Sequence, residues 1–252
     1  MKKLTVILLL LTAAFAGNAQ TAAVRTIFAS GGNYGKPFIK YVMALTKKKN
    51  PRICFMPTPS GDNPVNIATW YQNCEDLEMQ PFVQILYVSS YRQTKSFEDV
   101  LLSMDAIIVG GGSTLNAIAE WKTHGIDTIL RKAYNKGIVL GGGSAGSICW
   151  FQGGTTDSRP QKLSICAGLG FLPYSQSPHW LKEQTRRPLY RDAILTGKLN
   201  PGYACDDGSA ILFENEKPVK VVSIDEINKP YFVSVENGKI VETPMKVTEI
   251  IK

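Results

Sequence analysis

The sequence predicts an α/β protein: a three-layer, doubly wound, mostly parallel sheet with antiparallel strands toward the C-terminus. Two observations carry this prediction. Short apolar runs of strand length alternate with amphipathic segments of helix length as far as residue 140, the pattern of buried parallel strands covered on both faces. Beyond Ala210 the helices stop, and short strands follow one another around an Asn237-Gly238 turn, which marks hairpin pairing.

The elements follow in order. Val24 to Ala29 is a strand ending in Gly31-Gly32, and Pro37 to Lys48 then places Phe38, Tyr41, Val42 and Leu45 at helical spacing. Ile53 to Met56 runs into the Pro57-Thr58-Pro59-Ser60-Gly61-Asp62 turn, followed by a helix carrying Ile67, Trp70, Tyr71 and Cys74, and by a strand over Phe82 to Val88. Asp105 to Val109 is a buried strand ending in Gly110-Gly111-Gly112. Helices over Thr114 to Lys122 and Asp127 to Lys136 precede the strand Ile138 to Leu140. The C-terminal strands are Ile211 to Glu214, Val219 to Ile224, Tyr231 to Val235 and Ile240 to Glu242, expected at an antiparallel edge. No linker, repeat or low-complexity tract divides residues 20–252, so they read as one domain.

Composition narrows the function. The chain has 252 residues, 44% hydrophobic and 19% charged, which excludes a disordered tail, a coiled coil or a collagen-like fibre. Lys2 and Lys3, the apolar run Leu4 to Ala16 and the small residues Gly17-Asn18-Ala19 read as a signal peptide over residues 1–19, cut before Gln20. The run is shorter than the about 18–20 residues of a membrane span. A periplasmic or secreted protein without stable membrane association follows. The formal charge of +7 is spread without a basic block or an aromatic-interleaved stripe, so nucleic acid is not implied. Five scattered cysteines leave at least one thiol unpaired in a monomer. With two histidines and no Cys-x-x-Cys pair, no metal site is expected, and no cofactor motif stands out.

One constellation carries chemistry. Leu140 runs from a strand into Gly141-Gly142-Gly143-Ser144-Ala145-Gly146, with Ser147 to Phe151 able to continue as a helix. Gly142-x-Ser144-x-Gly146 is a nucleophile-elbow pattern in the context it requires. A phosphate-binding turn is the alternative, but no Lys follows Ser144 as a P-loop needs. A serine needs a base. His124, before Gly125, reads as an ordinary helix C-terminus, whereas His179 sits in Ser177-Pro178-His179-Trp180, where proline fixes the backbone. His179 is the expected base. For the acid that orients it, Asp157, in the polar turn Gly154 to Ser158, lies between nucleophile and base. Asp206-Asp207-Gly208 is the rival carboxylate pair. Ala145 N–H, directly after the nucleophile, supplies one oxyanion donor, and Gly112, at the end of a neighbouring strand, can supply the other.

Several motifs share one order: Pro57-Thr58-x-Ser60-Gly61-Asp62, the triple glycine before Ser113-Thr114-Leu115, Gly142-Gly143-Ser144-Ala145-Gly146, Thr156-Asp157-Ser158, Leu172-Pro173, Pro178-His179, Arg186-Arg187-Pro188 and Asp206-Asp207-Gly208-Ser209-Ala210. Over about Thr26 to Phe213 the chain resembles the peptidase E (aspartyl dipeptidase) family of serine peptidases. Ser113 stands where that family usually has Asn, and Trp180 where it has Phe or Tyr. The resemblance implies a fold like the class I glutamine amidotransferases, with serine replacing their cysteine, and a triad of Ser144, His179 and Asp157 with Gly112 and Ala145 as oxyanion donors. It further implies short peptides with an N-terminal aspartate as substrate, with Arg186 meeting the aspartate side chain and Arg187 as support. A cyanophycinase-like exopeptidase and a catalytically silent binder of small acidic peptides are the alternatives. A lipase-type hydrolase shares the elbow but places its histidine far later.

Overall fold

The computed structural model describes residues 23–32, 34–87 and 92–252; the expected signal peptide lies outside them. The main sheet is built from β1 (Thr26–Ser30), β2 (Arg52–Met56), β3 (Gln80–Val83), β4 (Ala106–Val109) and β5 (Val139–Gly143), which pair in parallel in the order β1-β5-β4-β2-β3. Every residue of β1, β4 and β5 is buried, which is why these strands read as unbroken apolar runs. The pleat sends alternate residues to opposite faces. Ile27, Cys54, Met56, Ile107 and Val109 join one core, and Phe28, Ile53, Phe55, Ala106 and Ile108 the other.

Helices cover both faces. On the second core lie α1 (Lys36–Leu45), through Phe38, Ile39 and Val42, and α2 (Pro64–Cys74), through Trp70 and Cys74. On the first lie α3 (Phe97–Leu101), α4 (Thr114–Thr123) and α5 (Ile126–Asn135), with Trp121, Leu130 and Tyr134 fully buried. Ser96 caps α3 in a capping box with Asp99, and Ser113 caps α4 through the Asn116 N–H, each satisfying an end donor. The sheet continues beyond β1 with β10 (Ser209–Glu214) and β11 (Lys217–Ser223), both antiparallel, and then β14 (Glu249–Ile250). This is the expected antiparallel edge.

A second sheet departs from the expectation. It runs β13 (Lys239–Pro244), β12 (Tyr231–Glu236), β9 (Gly202–Ala204), β8 (Leu172–Ser177), β6 (Phe151–Thr156) and β7 (Ser164–Ala167). The Asn237-Gly238 turn does join β12 to β13, with both residues at positive φ as a tight hairpin needs, but this hairpin pairs with β9 and not with the main sheet. The helix expected through Phe151 ends at Ile148 as α6 (Ala145–Ile148), and the polar turn expected from Gly154 is strand through Thr156. The strand expected over Phe82 to Val88 ends at Val83. Gly153 and Gly154 let neighbouring strands come close, since a Cβ there would sit 2.4 Å from the Cys166 carbonyl oxygen and 2.1 Å from that of Gln176. The final helix α7 (Arg186–Leu195) packs Tyr190, Ala193 and Ile194 against Trp180 and Val233 on this sheet. All five cysteines are free and buried, and no helix among the described residues is long and apolar enough to cross a membrane.

Packing is tight where β4 meets the turn after β5. A Cβ on Gly146 would lie 2.1 Å from the Val109 carbonyl oxygen, whereas one on Gly35 meets nothing closer than 3.8 Å. Gly146→Ala should therefore lose about 1–3 kcal/mol in denaturant unfolding, as overpacking against unyielding backbone does, and Gly35→Ala markedly less.

Candidate active site

The carboxyl end of β5 delivers Ser144 into a turn that few residues tolerate. Ser144 has φ 55° and ψ −119°, and its carbonyl accepts the N–H groups of Ser147 and Ile148 at 2.9 and 3.0 Å to start α6. The turn closes because its flanks are glycine: a Cβ on Gly142 would lie 2.1 Å from the Gly146 carbonyl oxygen, and one on Gly143 only 1.8 Å from that of Gly32. A non-glycine residue at positive φ is costly, and here the conformation aims the hydroxyl out of the sheet at His179.

His179 lies in the loop between β8 and α7, and it too has positive φ, 54°. Its N–H donates to the Gly31 carbonyl at 3.1 Å, and the next residue, Trp180, is buried and donates its N–H to the Cys205 carbonyl at 3.2 Å. The loop is thus tied to the end of β1 and to the segment after β9. The imidazole Nε2 stands 2.8 Å from the Ser144 hydroxyl, and Nδ1 is hydrogen-bonded to an Asp207 carboxylate oxygen. His124, as expected, ends α4, with its ring edge-on to Phe97 and 3.8 Å from Glu120.

The carboxylate on the imidazole is Asp207, of the rival pair, and not Asp157. β6 belongs to the second sheet, so its end carries Asp157 to an exposed position 3.7 Å from the Arg186 guanidinium. Asp207 comes from the β9–β10 turn, against which β1 packs directly: a Cβ on Gly32 would meet the Asp207 Cα at 2.7 Å. Its second oxygen accepts from Lys182 Nζ at 3.1 Å. Burial pushes the Asp207 carboxyl up, but the hydrogen bonds and charges of His179 and Lys182 outweigh it and leave the group below the usual carboxylate range. Its neighbour Asp206 goes the other way. Burial raises it, and the N–H groups of Lys229 and Leu181 offset that only in part. Adjacent carboxylates thus have separate tasks: Asp206 ties two loops together, and Asp207 stays ionised beside the imidazole.

The triple glycine after β4 runs beside the nucleophile. A Cβ built on Gly111 would be 3.6 Å from the Ser144 Cβ, and Gly112, at φ 134°, would put a Cβ 2.2 Å from the Pro59 carbonyl oxygen. No backbone acceptor takes the Gly111 or Gly112 N–H among the described residues. Ala145 begins α6, where the first N–H groups lack an intrahelical partner. Ser144, His179 and these glycines line a cleft of about 360 Å³. A larger cavity of about 530 Å³ lies at the other end of the strands, beside Thr26, Asp105 and Val139, remote from the nucleophile. Among the described residues no group of three metal-ligating side chains occurs.

Arg186 does not reach the cleft. It is 1% exposed, with its guanidinium on Glu183 at 2.6 Å and on the Thr155 carbonyl at 2.8 Å. The fold uses its charge to join α7 to β6, leaving none for a substrate side chain. Arg187 is half-exposed and pairs with Glu242.

A model of peptidase family S51 matches residues 26–221. The chain belongs to peptidase family S51. It is a serine peptidase, and peptides are its substrates. It is 40% identical over 208 residues to a Bacillus subtilis (strain 168) protein named "Uncharacterized peptidase YgaJ", covering 82% of this chain and 89% of that one. Among solved structures it resembles a peptidase from an acI-B1 actinobacterium, with a TM-score of 0.69 at 14% identity over 90% of this chain and 96% of that one. It also resembles a proposed peptidase E of Listeria monocytogenes EGD-e, with a TM-score of 0.61 at 15% identity over 81% and 100%. These likenesses show the α/β fold, of the class I glutamine amidotransferase type, with mixed and mostly parallel sheets.

Removing a buried charge that holds two elements leaves its partners unsatisfied, whereas an exposed pair is screened by water. Thermal unfolding should therefore show Arg186→Ala losing about 3–5 kcal/mol and Arg187→Ala less than about 1 kcal/mol.

Proposed function

We propose that this peptidase hydrolyses short peptides through an acyl-enzyme on Ser144, with His179 as general base and then acid, and Asp207 as the carboxylate that orients it. The continuous hydrogen-bonded chain from the Ser144 hydroxyl through both imidazole nitrogens to Asp207 carries this reading. His179 takes the hydroxyl proton at Nε2 as Ser144 Oγ attacks the peptide carbonyl carbon. Asp207 holds the Nδ1 proton, fixing the tautomer and stabilising the imidazolium. The oxyanion that develops is assigned to the Ala145 and Gly112 N–H groups. His179 then returns its proton to the leaving amine, the C–N bond breaks, and the ester on Ser144 is hydrolysed by a water that His179 deprotonates.

The size of the cleft supports short substrates, since about 360 Å³ lies at the small end for ligand sites. The N-terminal aspartate preference lacks its expected partner, because Arg186 is occupied within the fold. Export to the periplasm or beyond is supported by the N-terminal run Lys2 to Ala19.

A fluorophosphonate probe should label the wild type, and Ser144→Ala should abolish labelling. Turnover of a dipeptide panel should fall by roughly 10³–10⁴ in Asp207→Asn, the scale for a wrong histidine tautomer, and by at least as much in His179→Ala, while Asp157→Asn stays within about tenfold of wild type. Comparable losses in Asp157→Asn and Asp207→Asn would remove Asp207 from its assigned place.

A further inference from the structure

Helix α2 turns a polar row toward the nucleophile. Asn66, Thr69 and Asn73 line the same cleft as Ser144, at the spacing that puts them on one helical face. Between them Trp70 is buried, its ring stacked on Phe55 with centroids 5.4 Å apart and planes 15° apart. A Cβ on Gly110 would strike the Phe55 ring at 2.9 Å, so this aromatic wall abuts the glycine strip beside the nucleophile. Asn63 caps the helix by accepting the Val65 N–H, and Pro64 opens it, so the row sits on a rigid element.

Among the described residues, the lining contains no lysine, arginine, aspartate or glutamate. Two lysines adjoining it in sequence are engaged: Lys36, which follows the lining residue Gly35, holds Asp76 at 2.7 Å, and Lys182, three residues after the lining residue His179, holds Asp207. A carboxylate entering the cleft would shed water without meeting a lysine or arginine among the described lining residues, and neutral donors return only part of that cost. A carboxamide both donates and accepts, as the Asn66 and Asn73 amides do, and a flat side chain suits an aromatic wall.

Resting on the assignment of Ser144 as nucleophile, we propose that this wall is the side-chain subsite next to the scissile bond. It takes an uncharged planar side chain, a carboxamide or an aromatic ring, in preference to aspartate. Asn66, Thr69 and Asn73 set the choice.

The test is kcat/KM on two matched series, X-Leu and Leu-X, with X as Asn, Gln, Phe, Asp and Lys. Wild type and Thr69→Lys are compared, with fluorophosphonate labelling to count active sites in each. In the series whose X occupies this wall, Asn should exceed its isostere Asp by about tenfold or more, the scale of a site that rejects a mismatched polar group. Thr69→Lys, which places an ammonium on the wall, should shrink or invert that ratio by about tenfold. If Asp equals or exceeds Asn in both series while labelling is complete, the subsite proposal falls and the nucleophile assignment stands. An Asn-to-Asp ratio untouched by Thr69→Lys also overturns the proposal. Absence of both labelling and hydrolysis would bring down the assignment on which it rests.

Discussion

The arrangement of the site depends on the backbone of Gly31 and Gly32 at the end of β1. The Gly31 N–H donates to the Ser209 carbonyl at 3.0 Å, and its own carbonyl accepts the His179 N–H. A Cβ on Gly31 would lie 2.3 Å from the Cys205 carbonyl oxygen, and the Gly32 carbonyl lies where a Gly143 side chain would begin. The backbone of these two residues therefore fixes the base, the turn bearing the acid and the strand that ends in the nucleophile. No side chain fits among these backbones, so the register of all three is set by main-chain contact, which is stiffer than any side-chain contact would be.

That stiffness lets the site hold strain. Ser144 and His179 both sit at positive φ, a conformation that costs each about 1–3 kcal/mol and persists only when the surroundings over-determine it. The surroundings here are the buried strands β1, β4 and β5, with large side chains such as Trp121 and Trp150 in the core behind them. Charge follows the same division between scaffold and chemistry. Arg186 and Asp206 spend their polar groups on joining loops and helices, while the partly exposed Asp207 carries the electrostatic task next to the imidazole, with Lys182 on its outer oxygen.

The parts of the fold legible in the sequence are those in which burial alone dictates residue type. β1, β4 and β5 announce themselves as apolar runs closed by glycine, β2 as one closed by a proline turn, and α1, α4 and α5 by their spacing, each within a few residues of the expected ends. The second sheet was hidden because β6 is Phe-Gln-Gly-Gly-Thr-Thr and β8 is Leu-Pro-Tyr-Ser-Gln-Ser. The β6 glycines serve close strand contact and the polar side chains of these strands bond each other or α6, as Thr155 does with Ser177 and Gln176 with Ser147, so no hydrophobic period survives. With Gly154 to Ser158 as a free turn, spacing leaves Asp157 and the Asp206-Asp207 pair both open to the histidine, and the resemblance points to Asp157; as the residue following β6, Asp157 is directed to Arg186 instead. The signal for Asp207 was present in Asp206-Asp207-Gly208, a carboxylate pair just before a strand that pairs with β1, but only the pairing itself reveals which strand end it faces. The substrate role that the resemblance implies for Arg186 does not fit its burial, and nothing in Arg186-Arg187-Pro188 distinguishes a buried guanidinium from an exposed one.

The central claim, that Asp207 holds the imidazole beside Ser144, is tested most directly by proton NMR of the hydrogen-bonded imidazole N–H. With only two histidines in the chain, and His124 substantially exposed at the end of its helix, a far-downfield, slowly exchanging resonance is attributable to His179 Nδ1–H. The account predicts that this resonance is present in the wild type and in Asp157→Asn and is lost or moved far upfield in Asp207→Asn. Its survival in Asp207→Asn together with its loss in Asp157→Asn would contradict the account.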